Sequence, residues 1–123
     1  MYLSQNNHSY LISILKSEQL MVVDSSALKS IIKKFMADEL TRAVIITDSS
    51  GLPIQSSYRG EQIERTEEIS AYITSLITRA NQTVDVLGEG RLNFVRLETD
   101  KGEVMIAPQE GIILIVLRSL PAY

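Results

Sequence analysis

Cysteine and tryptophan are absent from this chain of 123 residues, and histidine occurs once, at His8. Without cysteine there is no disulfide, thiolate metal site, iron–sulfur cluster or cysteine nucleophile, a composition that suits a reducing compartment. A lone histidine excludes paired-histidine metal sites, and at position 8 it reads as a surface or capping residue. Positive charge is also scarce. Lys and Arg number 12 against 15 Asp and Glu, a net charge of −3, with the two signs mixed along the chain. Nucleic-acid binders carry a basic stripe or stacking aromatics, so nucleic acid is not an expected partner. No run approaches the roughly 18 uninterrupted apolar residues of a membrane-spanning helix. The opening "MYLSQNNHSYLISILKSEQLMVV" has no cationic start, and Lys16 and Glu18 interrupt its apolar stretch, which argues against a secretion signal. A cytoplasmic protein of one domain is the expectation.

What is present divides by hydrophobic period. Leu11, Ile14 and Leu15 have helical spacing and predict a short helix within 9–22, in an N-terminal extension of residues 1–23. The domain itself is expected over 24–120. "DSSALKSIIKKFMADEL" opens with the cap candidates Asp24, Ser25 and Ser26 and sets Leu28, Ile31, Ile32, Phe35 and Met36 on one helical stripe. "RAVIIT" (42–47) is β-branched and ends in the turn residues "DSSG", after which "LPIQSSY" reads as a second strand. Pro53 lacks a backbone donor, so that strand is expected at a sheet edge or to begin outside the ladder.

Residues 62–87 form the longest helical pattern, with Ile69, Ile73, Leu76, Ile77, Ala80, Val84 and Leu87 on one face. Gly88 and Gly90 supply its stop. "RLNFVRLET" (91–99), "EVMIA" (103–107) and "IILIVLR" (112–118) are read as three further strands joined by the short turns "DKGE" and "PQEG". "IILIVL" is apolar at every position, so both its faces need cover. The expected architecture is an α/β/α sandwich around a five-stranded, mainly antiparallel sheet.

Chemistry finds little purchase. "DSSG" is followed by a strand, so it matches neither a phosphate-binding loop nor a nucleophile elbow, and it reads as a hairpin turn. Glu64, Glu67 and Glu68 complement the helix dipole rather than a metal. "GEG" (88–90) is a helix stop. No catalytic residue, cofactor or metal site is expected, and the chain reads as a non-enzyme.

Function is therefore sought in contacts. "RLNFVRLET" is long, free of proline, and apolar on both faces, with Leu92 and Phe94 on one and Val95 and Leu97 on the other. At a sheet edge such a strand needs a partner, and a second copy in a twofold dimer supplies one. Tyr72, Arg79 and Thr83 flank the core stripe of the preceding helix and could meet that copy. The alternative is an internal strand and a solvated helix flank.

Taken together, "AVIITDSSGLPIQSS", the long helix and "LNFVRLETDKGEVMIAPQEGIILIVL" resemble the Roadblock family, which comprises the dynein light chain Roadblock and its lysosomal-scaffold, archaeal and bacterial relatives. The similarity covers about residues 26–118, and Asp48, Gly51 and Pro53 match its strand–D-x-x-G-x-P–strand hairpin. The resemblance implies a dimer with one continuous sheet, built through the long helix (Tyr72, Leu76, Arg79, Thr83) and the third strand (Leu92, Phe94, Val95, Arg96, Leu97). It implies a non-enzymatic homodimeric scaffold or regulator of a Ras-like small GTPase, or one half of a pair with another Roadblock protein. A dynein light chain holding an intermediate-chain peptide is the alternative. The chain departs from the pattern in ending "RSLPAY", too short for the family's terminal helix, and residues 1–23 are expected to cover the sheet face which that helix would occupy.

Overall fold

The computed structural model describes residues 25–121. The N-terminal extension, including the helix expected within 9–22, His8 and the Asp24 cap, lies outside them. Helix α1 (Ser25–Met36) leads into β1 (Thr41–Asp48) and β2 (Pro53–Ser56). A 3-10 turn at Gly60–Gln62 opens α2 (Ile63–Leu87), and β3 (Val95–Thr99), β4 (Gly102–Gln109) and β5 (Ile112–Ser119) follow. The strands pair in the order β2-β1-β5-β4-β3, every neighbour antiparallel.

Strand alternation produces the layers. Val44, Ile46, Met105, Leu114 and Val116 pack with Leu28, Ile31, Ile32 and Phe35 of α1. Their neighbours Ile45, Ile106, Ile113 and Ile115 point the other way and pack with Ile73 and Ile77 of α2. One helix thus lies on each face, the α/β/α arrangement that the all-apolar central strands require. β1 and β5 are the interior strands that "AVII" and "IILIVL" predict, and β2, with Pro53, is an edge as expected.

Helix ends follow local chemistry. Gly88 takes a positive φ of 67°, and the Glu89 N–H closes α2 by donating to the Val84 carbonyl at 3.2 Å. The "DSSG" hairpin is held by Asp48, whose Oδ1 accepts from the Leu52 N–H (2.9 Å), the Ser50 hydroxyl (2.8 Å) and the Ser50 N–H (2.9 Å). Gly51 turns the corner at φ 96°.

The Leu52 N–H and the Ser50 hydroxyl hold the Asp48 carboxyl below its ordinary pKa of 3.8. A depressed carboxylate pKa adds stability that is complete above the unfolded value and disappears as pH falls through the folded one. Asp48→Ala is therefore expected to lower the melting temperature at pH 7. Its deficit should shrink as the pH is taken below about 3.8. A deficit constant from neutral to acid pH would contradict this account.

Several elements are shorter than their sequence patterns. The strand expected at 91–99 begins only at Val95, and "LPIQSSY" contributes just Pro53–Ser56. Strand alternation therefore does not apply to 91–94: Leu92 packs with the α2-side cluster and Phe94 with the α1-side cluster, not on one face as expected. The first helix stops at Met36, which is exposed rather than core. Its lysines at 29, 33 and 34 are exposed, as their spacing indicates.

Candidate interaction surface

Helix α2 carries more apolar surface than its own fold buries. Of the seven positions on its sequence stripe, only Ile73 and Ile77 are buried, Ile69, Ala80 and Val84 are half-buried, and Leu76 and Leu87 are exposed. Two lengths explain this. Twenty-five residues of helix extend about 37 Å, whereas an eight-residue strand spans about 26 Å, so α2 overhangs the sheet. The helix also lies off-centre, over β1 and β2. Thr66 meets Ser56 through their hydroxyls (3.1 Å), and a β-carbon at Gly51 would stand 3.3 Å from the Thr74 hydroxyl. That side of α2 therefore faces the β1–β2 hairpin.

The opposite flank faces β3. At 100° per residue, Tyr72, Leu76, Arg79, Thr83 and Leu87 occupy an arc of about 80°. All five are exposed, Tyr72 at 74% and Leu87 at 64%. On the α2 side of the sheet Val95, Val104 and Leu117 are only partly buried, as is Leu92 just before β3, and Leu97 is exposed. The apolar sheet face at β3–β4 is thus half covered, next to a helix flank with nothing packed on it among the described residues.

Among the described residues β3 is the edge strand of this half, with five residues, no proline and β4 as its one neighbouring strand. Its α1-side positions are charged. Arg96 donates to Glu103, and again to Glu98 at 3.2 Å. Glu103 also binds Arg118 (3.1 Å), which reaches Asp38 in the loop after α1 (2.8 Å). Glu103 and Arg118 are 3% and 4% exposed, so a charged network runs under the end of the sheet to its edge.

A shallow hollow of about 240 Å³ lies on the far side, between β2 and the start of α2, lined by Ile54, Tyr58, Arg59, Ile63 and Thr66 among others. Its one cation, Arg59, is held by the Ser56 and Tyr58 carbonyls. Among the described residues no group of three His, Asp or Glu side chains is placed to hold a metal, and no helix is long and apolar enough to cross a membrane.

Comparison with known proteins settles the ancestry of this arrangement. The family model for the Roadblock/LC7 domain matches residues 28–118, most of the chain. The chain belongs to the Roadblock family.

Solved structures share its fold. MglB of Myxococcus xanthus is 14% identical, with a TM-score of 0.69 and a match covering 78% of each chain. A Roadblock/LC7 domain from Streptomyces avermitilis is 17% identical, with a TM-score of 0.58 over 64% of this chain and 66% of its own, just under two thirds. The gliding protein MglB of Thermus thermophilus is 10% identical, with a TM-score of 0.64 over 73% of this chain and 69% of its own. At these identities the likeness is one of fold.

Within this Roadblock domain, Asp48, Gly51 and Pro53 make the hairpin that the family pattern predicts. The nine residues expected at an interface are spread over α2, β3 and the segment before β3, and over both faces of the sheet. Tyr72, Leu76, Arg79 and Thr83 are exposed on the β3-facing flank of α2, and Val95, Arg96 and Leu97 lie on β3. Leu92 and Phe94 precede β3 and seat its start against the two core clusters. Leu87 was expected in the core and instead extends the exposed flank, while the 88% exposed Val86 was on no predicted face. Sequence reading missed the Glu103–Arg118 network. The available signal was alternation, which puts Glu103 on the same face as Met105, and Arg118 on the same face as Val116 and Leu114.

Proposed function

We propose that this Roadblock domain is a non-enzymatic homodimeric platform that binds a Ras-like small GTPase and regulates its nucleotide cycle. The observation that carries the reading is that, among the described residues, the face at β3–β4 is half covered and lies beside an exposed flank of α2 at the edge of the sheet. A twofold copy satisfies all three features at once by continuing the sheet across β3 and laying helix flank against helix flank. The GTPase follows from family membership, since the Roadblock resemblance implies service as a scaffold or regulator of such proteins. A second Roadblock protein would fit the same surface as a heterodimer.

Leu76→Asp is expected to convert the dimer to monomer, because a desolvated, unpaired carboxylate at an interface costs several kcal/mol, on the order of 3–5. Leu76 is exposed within the single chain, so the variant should keep the wild-type circular dichroism spectrum. Light scattering at the mass of a folded monomer is the expected result, and an unchanged dimer would place the interface elsewhere. For the GTPase, tagged wild-type protein is used to capture partners from extract loaded with GTP or GDP. Retention of a small GTPase in one nucleotide state supports the platform. Capture of a dynein intermediate chain regardless of nucleotide would replace it with the light-chain reading.

A further inference from the structure

The side of α2 that faces the β1–β2 hairpin carries a row of hydroxyls. Thr66, Ser70 and Thr74 follow one another at intervals of four residues, one above the next on the helix. Thr66 meets Ser56 directly, at 3.1 Å. The next two have no such contact: the Ser70 and Thr74 hydroxyl oxygens are buried and, among the described residues, make no hydrogen bond. The same holds for the Thr47 hydroxyl on β1. Thr47 and Ser70 are both 0% exposed.

Register brings these groups together. Ser56 stands opposite Ile45 in the β1–β2 ladder, so Thr66 marks the level of Ile45. From that level Thr47 is about 6.6 Å along the strand, and Ser70 is about 6 Å along the helix. Thr74, one turn further, lies against Gly51 in the hairpin turn, so helix and strand run the same way. Thr47 alternates with Ile45, which packs with Ile73 and Ile77, and it therefore points to α2. Helix and sheet thus present hydroxyls to each other at one level without bonding.

A buried hydroxyl with no partner forfeits the hydrogen bonds it made to solvent in the unfolded chain. Valine at 47 or alanine at 70 would fill nearly the same space without that loss. Three such groups in one seam match the two to four polar partners that a buried water takes. We infer that water is bound between α2 and the β1–β2 hairpin, bridging Thr47 to Ser70 and, a turn further, Thr74. The hairpin is then fastened to the helix twice, by the direct Ser56–Thr66 contact and by this bridge. Ser56 and Thr66 also line the hollow beside β2, where solvent reaches the near end of the row. The site lies on the other side of α2 from Tyr72 and Leu76 and does not depend on what that flank binds.

Oxygen-17 relaxation dispersion of the solvent counts long-residence waters without interference from hydroxyl protons. The full chain is expected to hold at least one more such water per molecule than its Thr47→Val/Ser70→Ala variant, whose side chains nearly keep the original shapes. Equal dispersion overturns the site. The sign of the stability change is an independent check. Where water bridges, Thr47→Val and Ser70→Ala each strand the other hydroxyl, so each lowers the melting temperature and favours unfolding about tenfold. The double variant then loses less than the sum of the two, because the second hydroxyl was already stranded. Without the bridge the sign reverses, since each substitution removes an unmet group, and a rise in melting temperature in both single variants overturns the inference.

Discussion

Gly102→Ala is expected to lower the stability of this domain by about 3 kcal/mol, with a melting temperature roughly 10 °C below wild type. Gly102 opens β4 with a φ of 155°, pairing with Ser119 of β5 and Thr99 of β3. A β-carbon there would sit 1.9 Å from the Arg118 carbonyl oxygen and 2.9 Å from its carbonyl carbon. Both are backbone atoms of an interior strand, so no rotamer change can relieve the overlap. One of two strands must move, and displacing packed backbone costs about 1–3 kcal/mol beyond the conformational strain. Gly60 is a fitting control, because a β-carbon there meets nothing within 4 Å. Its φ of 60° strains an alanine as well, but without the collision. Chemical denaturation of both variants tests the account, and equal losses would mean that backbone conformation, not the contact with Arg118, sets the cost.

Removing Glu103 is expected to cost a similar or larger amount, about 3–5 kcal/mol for a buried ion pair deprived of one partner. Glu103→Ala leaves the Arg118 guanidinium in a site only 4% exposed, with the half-exposed Asp38 as its other carboxylate. Arg96 loses an anchor in the same step. The comparison that decides the mechanism is Glu98→Ala. Glu98 also pairs with Arg96, at 3.2 Å, but its side chain is 74% exposed, and exposed pairs contribute at most about 1 kcal/mol. Urea denaturation should therefore separate the two variants by several kcal/mol. If they are equally destabilised, burial of the network is not what makes Glu103 matter. The two glutamates then have different tasks: Glu103 holds the end of the sheet together, and Glu98 presents charge at its edge.

The turns and helix stops were the most legible features. Asp48 with Gly51 made the hairpin that "DSSG" calls for, and Gly88 stopped α2, because such positions are governed by neighbours within four residues. "IILIVLR" was equally plain, since an unbroken apolar strand admits only cover on both faces. Where the pattern misled, the cause was length. "RLNFVRLET" has strand composition throughout, but only Val95–Thr99 has a partner on β4, and without a ladder the first four residues run irregularly. The candidate surface was legible in part. Tyr72, Arg79 and Thr83 were expected at the flank, whereas Leu87 was assigned to a core that ends before it.

Sequence alone thus determined the kind and order of the described elements, though not their bounds, together with the two-sided burial of the central strands and the absence of thiol chemistry. Each rests on composition or on a period that repeats within a few residues. Tertiary structure decided the strand order, which made β3 an edge, and the offset of α2 over β1 and β2, which leaves the β3 side of the sheet half covered. It also decided the network that ties Asp38 to Arg118, 80 residues away. Periodicity states which face a side chain takes, but not how far the layer above that face extends. That extent is set by how a helix of about 37 Å and strands of about 26 Å are laid across one another, and only the assembled chain determines it.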